Sequence, residues 1–146
     1  MKTTMKTTIT ALTLALLFGT QAFASESQDC SARMLAGRWM FATDVGEQTF
    51  FPGGDITAIG TFRVDRNGNL TGVFDATVAG WMHLPGVTFT GAFTVNPDCT
   101  GSLSFVTGNG RARTDSIVIL GDRIRGMSRD IQFLWTYEAR RMDDRR

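Results

Sequence analysis

Apolar and polar residues alternate along most of this chain after residue 36. In "VTFTGAFTV", residues 87–95, Val87, Phe89, Gly91, Phe93 and Val95 fall on one face, and Thr88, Thr90, Ala92 and Thr94 on the other. A period of two marks a half-buried β-strand, because successive side chains point to opposite sides. Similar short runs occupy 37–45, 56–64, 70–79, 102–107, 112–120, 123–128 and 131–141. Turn-forming residues separate them: "FFPGGD" (50–55), "DRNGN" (65–69), "GWMHLPG" (80–86), "NPDCTG" (96–101) and the pair Gly121-Asp122. The pattern predicts an all-β domain. Only "SQDCSARML", residues 27–35, predicts a helical turn.

Eight short strands at regular spacing argue for a sandwich or a barrel. Eight up-and-down antiparallel strands is the number at which a sheet closes around a packed interior or one small ligand. Closure also removes the exposed edges that a threonine-rich sheet would offer to other chains. Glycines within strands, such as Gly60, Gly72, Gly91 and Gly126, suit the bends of a small barrel. We therefore expect an eight-stranded antiparallel up-and-down barrel with a short N-terminal helical turn.

The N-terminus departs from this pattern. Lys2 and Lys6 precede the apolar run "ITALTLALLFG" (9–19), and "AFA" (22–24) is a small-x-small cleavage site followed by polar "SESQDC". These are the three regions of a secretory signal peptide, and the run is too short to span a bilayer. The expected organisation is a signal peptide over 1–24, cleaved after Ala24, and one β-barrel domain over 25–146. The expected location is periplasmic or secreted. No membrane span is expected after cleavage. Cys30 lacks the small and apolar residues that precede a lipoprotein cysteine.

Export changes how the cysteines read. Cys30 and Cys99 are the only two, and an even pair in an exported chain points to a disulfide. It would tie the N-terminal lead-in to a turn near the middle of the chain, with a stabilisation of roughly 4 kcal/mol on the chain-entropy model. Two cysteines and one histidine, His83, lack close ligand spacing, so no metal site and no cofactor are expected. The formal net charge is +1, and both lysines lie in the leader. The remaining domain is nearly neutral, with arginine as its only strong base. No nucleic-acid partner is implied.

The strand-turn-strand "GAFTVNPDCTGSLSF" (91–105), "DSIVILGDRIRGMSRD" (115–130) and the hairpin "FRVDRNGNLTG" (62–72) resemble a known group. The chain resembles small exported bacterial proteins with an allene oxide cyclase-like barrel, grouped with calycin barrels. Gly37 and Trp39 stand where a calycin barrel has Gly-x-Trp on its first strand. The resemblance implies an eight-stranded barrel with an interior cavity. It carries over no reaction and no catalytic residue.

Candidate chemistry lies where the alternation is interrupted. On the last strand Ile131, Phe133, Trp135, Tyr137 and Ala139 share a face expected to point inward. Phe89, Phe93, Phe133, Trp135 and Tyr137 are then either core or the wall of a lipophilic pocket. Asp115 shares the face of Ile117 and Ile119, and Asp75 that of Val73. Arg63, Arg113 and Arg125 are arginines within strands, and Glu138 sits beside Tyr137. A buried carboxylate needs a partner. The favoured pair is Asp115 with Arg125 on the adjacent hairpin strand. Asp115, Arg125 and Asp75 are thus the candidate catalytic or anchoring groups. Trp81 and His83, in the predicted loop, are candidates for a lid at the barrel mouth. Trp39 is expected to cap one end of the barrel against the strand carrying Arg140 and Arg141.

Three functions fit. The first is a barrel that binds a small lipophilic molecule in its interior. The second is a cyclase- or isomerase-type enzyme, which needs mainly shape and one or two polar groups. The third is a protein-binding barrel, such as a periplasmic protease inhibitor presenting "SESQDCSARM" or a loop. A homo-oligomer is neither demanded nor forbidden by the threonine-rich outer faces.

Overall fold

The computed structural model describes residues 29–48, 54–130 and 132–142. The expected signal peptide, most of the loop at 50–55, Ile131 and the charged tail lie outside the described residues. Eight strands follow one another: β1 (Gly37–Gln48), β2 (Gly54–Val64), β3 (Asn69–Val78), β4 (Met82–Val95), β5 (Thr100–Thr107), β6 (Ala112–Leu120), β7 (Arg123–Ser128) and β8 (Phe133–Arg141). Each pairs antiparallel with the next, and β8 pairs with β1 to close the barrel. Among the described residues, a 3-10 turn, Ala32–Leu35, precedes β1.

Alternation sorts the side chains as a closed barrel demands. Phe62, Leu70, Phe89, Phe93, Leu103, Phe105, Ile117 and Ile124 are buried, while their strand neighbours face solvent. Ring contacts run the length of the interior. Trp39 stacks on Phe62 at 6.2 Å, Phe62 meets Phe89 at 6.4 Å, Phe89 meets Phe105 at 5.7 Å, and Phe105 stacks on Trp135 at 6.4 Å. Glycine makes room for these rings. A Cβ on Gly126 would fall 2.1 Å from Cζ of Tyr137, its partner across the β7–β8 ladder.

One end is plugged. Trp39 is fully buried, and its indole N–H donates to the Leu35 carbonyl at 2.8 Å. The Arg141 guanidinium lies 4.6 Å over the Trp39 ring and donates to the carbonyls of Ala36, at 2.6 Å, and Met34. Trp39 and Arg141 are direct partners in the β1–β8 ladder, so the expected cap is present. The Cys30–Cys99 disulfide closes this end from the other side, with Cys30 N–H donating to the Pro97 carbonyl at 3.2 Å. The lead-in from Asp29 is therefore fastened to the barrel at Cys30.

The predicted loop at 80–86 is corrected. Ala79 and Gly80 form a tight turn with φ of 53° and 72°, and β4 already begins at Met82. Val78 pairs with Met82, so the connection is the three residues 79–81, with the Trp81 N–H donating to the Val78 carbonyl at 3.3 Å. Pro85 and Gly86 instead form an irregularity inside β4, where the β3–β4 register shifts between Phe74 and Ala76. The Asp75 carboxylate accepts the Gly86 N–H there at 2.7 Å.

Candidate functional site

The opposite end is open. A cavity of about 700 Å³ is bordered by Ile56, Val78, Met82, Leu84, Val87, Arg111, Arg113, Phe133 and Trp135, among others. Deeper down, a second cavity of about 30 Å³ is lined by Thr43, Asp115, Tyr137, Trp135 and the rings of Phe41, Phe62, Phe74, Phe89 and Phe105. Phe74 and Trp135 are walls of both. The aromatic side chains nearly fill the barrel's middle, so the room for a ligand lies at the mouth.

Arg113 borders the mouth cavity, two residues along β6 from Asp115, which lines the inner one. It shares the inward face of β6 with Asp115, Ile117 and Ile119, because all four are in phase. Its side chain is 6% exposed, with Cζ 3.6 Å from the Phe133 ring centroid and 5.3 Å from that of Trp135. Nη1 lies 3.3 Å from Asp130 Oδ2. Asp130 is itself oriented by the β7–β8 connection: its N–H donates to Ser128 Oγ at 3.0 Å, and its Oδ1 accepts from Gln132 N–H at 2.9 Å. Burial holds the Arg113 guanidinium below its ordinary value, Asp130 opposes this, and Arg111 adds to it. Arg111 lies 5.4 Å from the Phe133 ring, so the rim carries two guanidinium groups beside one aromatic face.

Asp115 forms the floor. It is 1% exposed. Burial pushes its carboxyl up to about 6 from a usual 3.8; Trp135, Arg113, Tyr137 and Arg129 act in the opposite direction. Tyr137 is raised well above its ordinary value, first by burial and then by the neighbouring Asp115 charge. The Trp135 N–H and Tyr137 O–H sit close enough to favour the charged carboxylate, yet neither aligns into a hydrogen bond. Asp115 Oδ1, Trp135 Nε1 and Tyr137 OH are buried without a hydrogen-bond partner among the described residues. Buried polar groups cost free energy while they stay unpaired.

The favoured pair Asp115–Arg125 is not formed. Arg125 faces outward, 2.8 Å from Glu138 and 3.4 Å from Asp44. The reason is register. The turn at Gly121-Asp122 places Arg125 opposite Val118, on the outer face, and places Ser128 opposite Asp115. Asp75 is also exposed and serves the β4 irregularity. Phe133 and Trp135 border the mouth, and Phe89 and Tyr137 line the inner cavity. Phe93 packs against Phe62 and borders neither cavity. Trp81 is exposed at the β3–β4 turn. His83 is exposed between Met82 and Leu84, whose side chains border the mouth while its own does not. Arg113, Asp130 and Arg111 complete the site; Arg113 was noted from sequence as an arginine within a strand but not paired with Asp115, although the two are in phase, and Asp130 and Arg111 were not singled out. Among the described residues, no group of three or more His, Cys, Asp or Glu could hold a metal ion, and no helix is long and apolar enough to cross a membrane.

No protein-family model matches this chain, and no curated protein matches it. Solved structures do. A de novo designed fluorescence-activating β-barrel is 13% identical with a TM-score of 0.55; the match covers 77% of this chain and 99% of that one. The redesigned β-barrel mFAP1, bound to DFHBI, is 18% identical with a TM-score of 0.52, over 76% of this chain and 98% of that one. At these identities the likeness shows the barrel fold and nothing finer.

Proposed function

We propose that this protein is an exported barrel that binds a small lipophilic molecule at its open end. The observation that carries this reading is the mouth cavity of about 700 Å³, walled by aliphatic and aromatic side chains and edged by Arg111 and Arg113. Ligand sites are typically concave and mostly apolar, with a few placed polar groups. The likeness to mFAP1, a barrel of the same fold bound to the small molecule DFHBI, supports it. Membership of the allene oxide cyclase-like group and delivery to the periplasm or the medium belong to the same proposal. They rest on the leader-like segment 1–24 and on the motifs around Cys99 and Gly121. The disulfide fits an oxidising compartment.

The test is native mass spectrometry of the protein purified from its own host. A co-purified small molecule is expected, released by Val87→Arg, which places a charge among the apolar walls of the mouth. An empty barrel that also takes up no lipophilic dye would refute the reading.

One observation favours a second reading, an enzyme of isomerase or cyclase type. Asp115 is a carboxyl with a pKa of about 6 beneath an apolar pocket, which suits proton transfer near neutrality. Loss of any detected turnover in Asp115→Asn, with ligand binding retained, would separate this reading from simple binding.

A further inference from the structure

We propose that the molecule held at the mouth is a compact lipophilic acid, whose carboxylate lies against Arg111 and Arg113 and whose ring body covers the apolar side. This rests on the binding reading above and names the chemistry of its ligand.

The mouth has two unlike sides. β2, β3 and β4 supply aliphatic wall through Ile56, Val78, Leu84 and Val87. The β5–β6 connection and the start of β6 supply Asn109, Arg111 and Arg113. Among the described residues that border the mouth, these two arginines are the only charged ones. Asp130 borders a neighbouring notch, which shares Arg111, Arg113 and Phe133 with the mouth. Asp115 borders neither space, and its carboxyl also feels Arg129. Two guanidinium groups thus stand at this rim beside one carboxylate, which matches a guest with a single negative charge.

The hydrogen-bond donors point the same way. A guanidinium carries five N–H donors, and the Arg113 bond to Asp130 uses one of them, on Nη1. The Arg111 backbone N–H donates to Asn109 Oδ1 at 3.4 Å, so the Asn109 amide turns its NH2, another donor, the other way. A cation would be repelled by the arginines. A neutral lipophile seated there would strip water from guanidinium N–H groups and return no hydrogen bond. A carboxylate accepts in the plane of the guanidinium fork and also supplies the missing charge.

The shape of the body follows from the walls. Phe74, Phe133 and Trp135 border the mouth, and further rings close the barrel's middle, where about 30 Å³ remains. A long chain therefore has no channel to thread, whereas a flat ring system can pack on the aromatic walls.

The test is isothermal titration of the purified protein at neutral pH with 2-naphthoate, its methyl ester and decanoate. 2-Naphthoate should bind at least about tenfold more tightly than the ester, which keeps the body and lacks the charge. Decanoate has the same charge and a similar size. It should bind more weakly than 2-naphthoate, because it must give up chain freedom. Arg111→Gln and, independently, Arg113→Gln should each reduce the preference for acid over ester severalfold, with ester binding little changed. Arg111 is exposed, so its variant decides the matter if Arg113→Gln does not fold. Arg66→Gln, which removes an exposed charge at the β2–β3 turn, should leave the preference unchanged. Equal affinity for acid and ester in the wild-type protein would overturn the acid site and leave the lipophile reading standing. A preference that survives both mouth substitutions, or that falls equally in Arg66→Gln, would also overturn it. Tighter binding of decanoate than of 2-naphthoate would overturn the ring body. No binding of any of the three probes would overturn the acid site and the lipophile reading together.

Discussion

The guanidinium carbon of Arg113 lies 3.6 Å from the centroid of the Phe133 ring, and both residues border the open mouth. The charge is almost wholly buried, and the Phe133 and Trp135 rings, Asp130 at 3.3 Å and the field of Asp115 compensate it. In Arg113→Met the apolar stem remains and the charge is lost. Arg113 favours the ionised form of Asp115, so the Asp115 carboxyl should then titrate above its value of about 6. Carboxyl carbon chemical shifts followed against pH would read this directly. An unchanged midpoint would mean that the two groups are not electrostatically linked.

Asp115 itself makes stability depend on pH. Its folded-state pKa of about 6 exceeds the usual 3.8, so the folded protein holds this proton more tightly than the unfolded chain does. The contribution is complete below the unfolded pKa and is lost as pH rises through about 6. Above that range the buried charge costs about 3 kcal/mol relative to the protonated acid. Asp115→Asn should remove this slope. Urea midpoints at acidic and mildly alkaline pH should differ less for the variant than for the parent. Identical slopes in the two proteins would contradict the assignment.

Gly126 and Tyr137 are a matched pair. A methyl group at 126 would meet the tyrosine ring at 2.1 Å, far inside van der Waals contact. Gly126→Ala should therefore cost about 1–3 kcal/mol through overpacking. Much of that loss should vanish when Tyr137 is replaced by alanine, because the two changes relieve each other. A double-mutant cycle by chemical denaturation measures the coupling, and strictly additive losses would argue against it.

The disulfide bridges residues separated by 69 in sequence and holds the plugged end. Replacing both cysteines by serine should cost about 4 kcal/mol on the chain-entropy model. The Trp39–Arg141 contact lies at the same end and shares the lead-in that Cys30 anchors. Trp39 fluorescence in a Trp81→Phe, Trp135→Phe background should therefore shift to the red in the cysteine-free protein. A spectrum and midpoint equal to the parent's would show that the bridge does not organise this end.

Much of the fold was legible because it depends on local periodicity. A period of two assigns each strand residue to one of two faces, and turn residues mark where the chain reverses. The strand number follows from such short-range rules, and eight up-and-down strands in turn suggested closure. The cysteine pair was read instead from the leader and the even count, and the place of Trp39 from the resemblance. One further relationship follows from the short-range rules but was passed over. Arg113 and Asp115 are two apart and share a face, whereas counting back from Gly121-Asp122 sets Arg125 opposite Val118, out of phase with Asp115. The loop at 80–86 failed differently: Pro85 and Gly86 suggested a break, but a strand can absorb them as an irregularity when a side chain such as Asp75 takes the freed N–H.

The room inside was decided only by the tertiary structure. Alternation shows that Phe89, Phe105 and Tyr137 point inward. It cannot show that rings from β1, β2, β3, β4, β5 and β8 meet in the middle and leave about 30 Å³ there, while about 700 Å³ stays open at the mouth. That volume is a sum over side chains far apart in sequence, set by ring orientation and barrel closure. The stacking of Arg113 on Phe133 is of the same kind, since β6 and β8 are not ladder neighbours and meet only across the curved interior. Sequence determined which residues face inward. Closure of the sheet decided which of them touch, and where space remains.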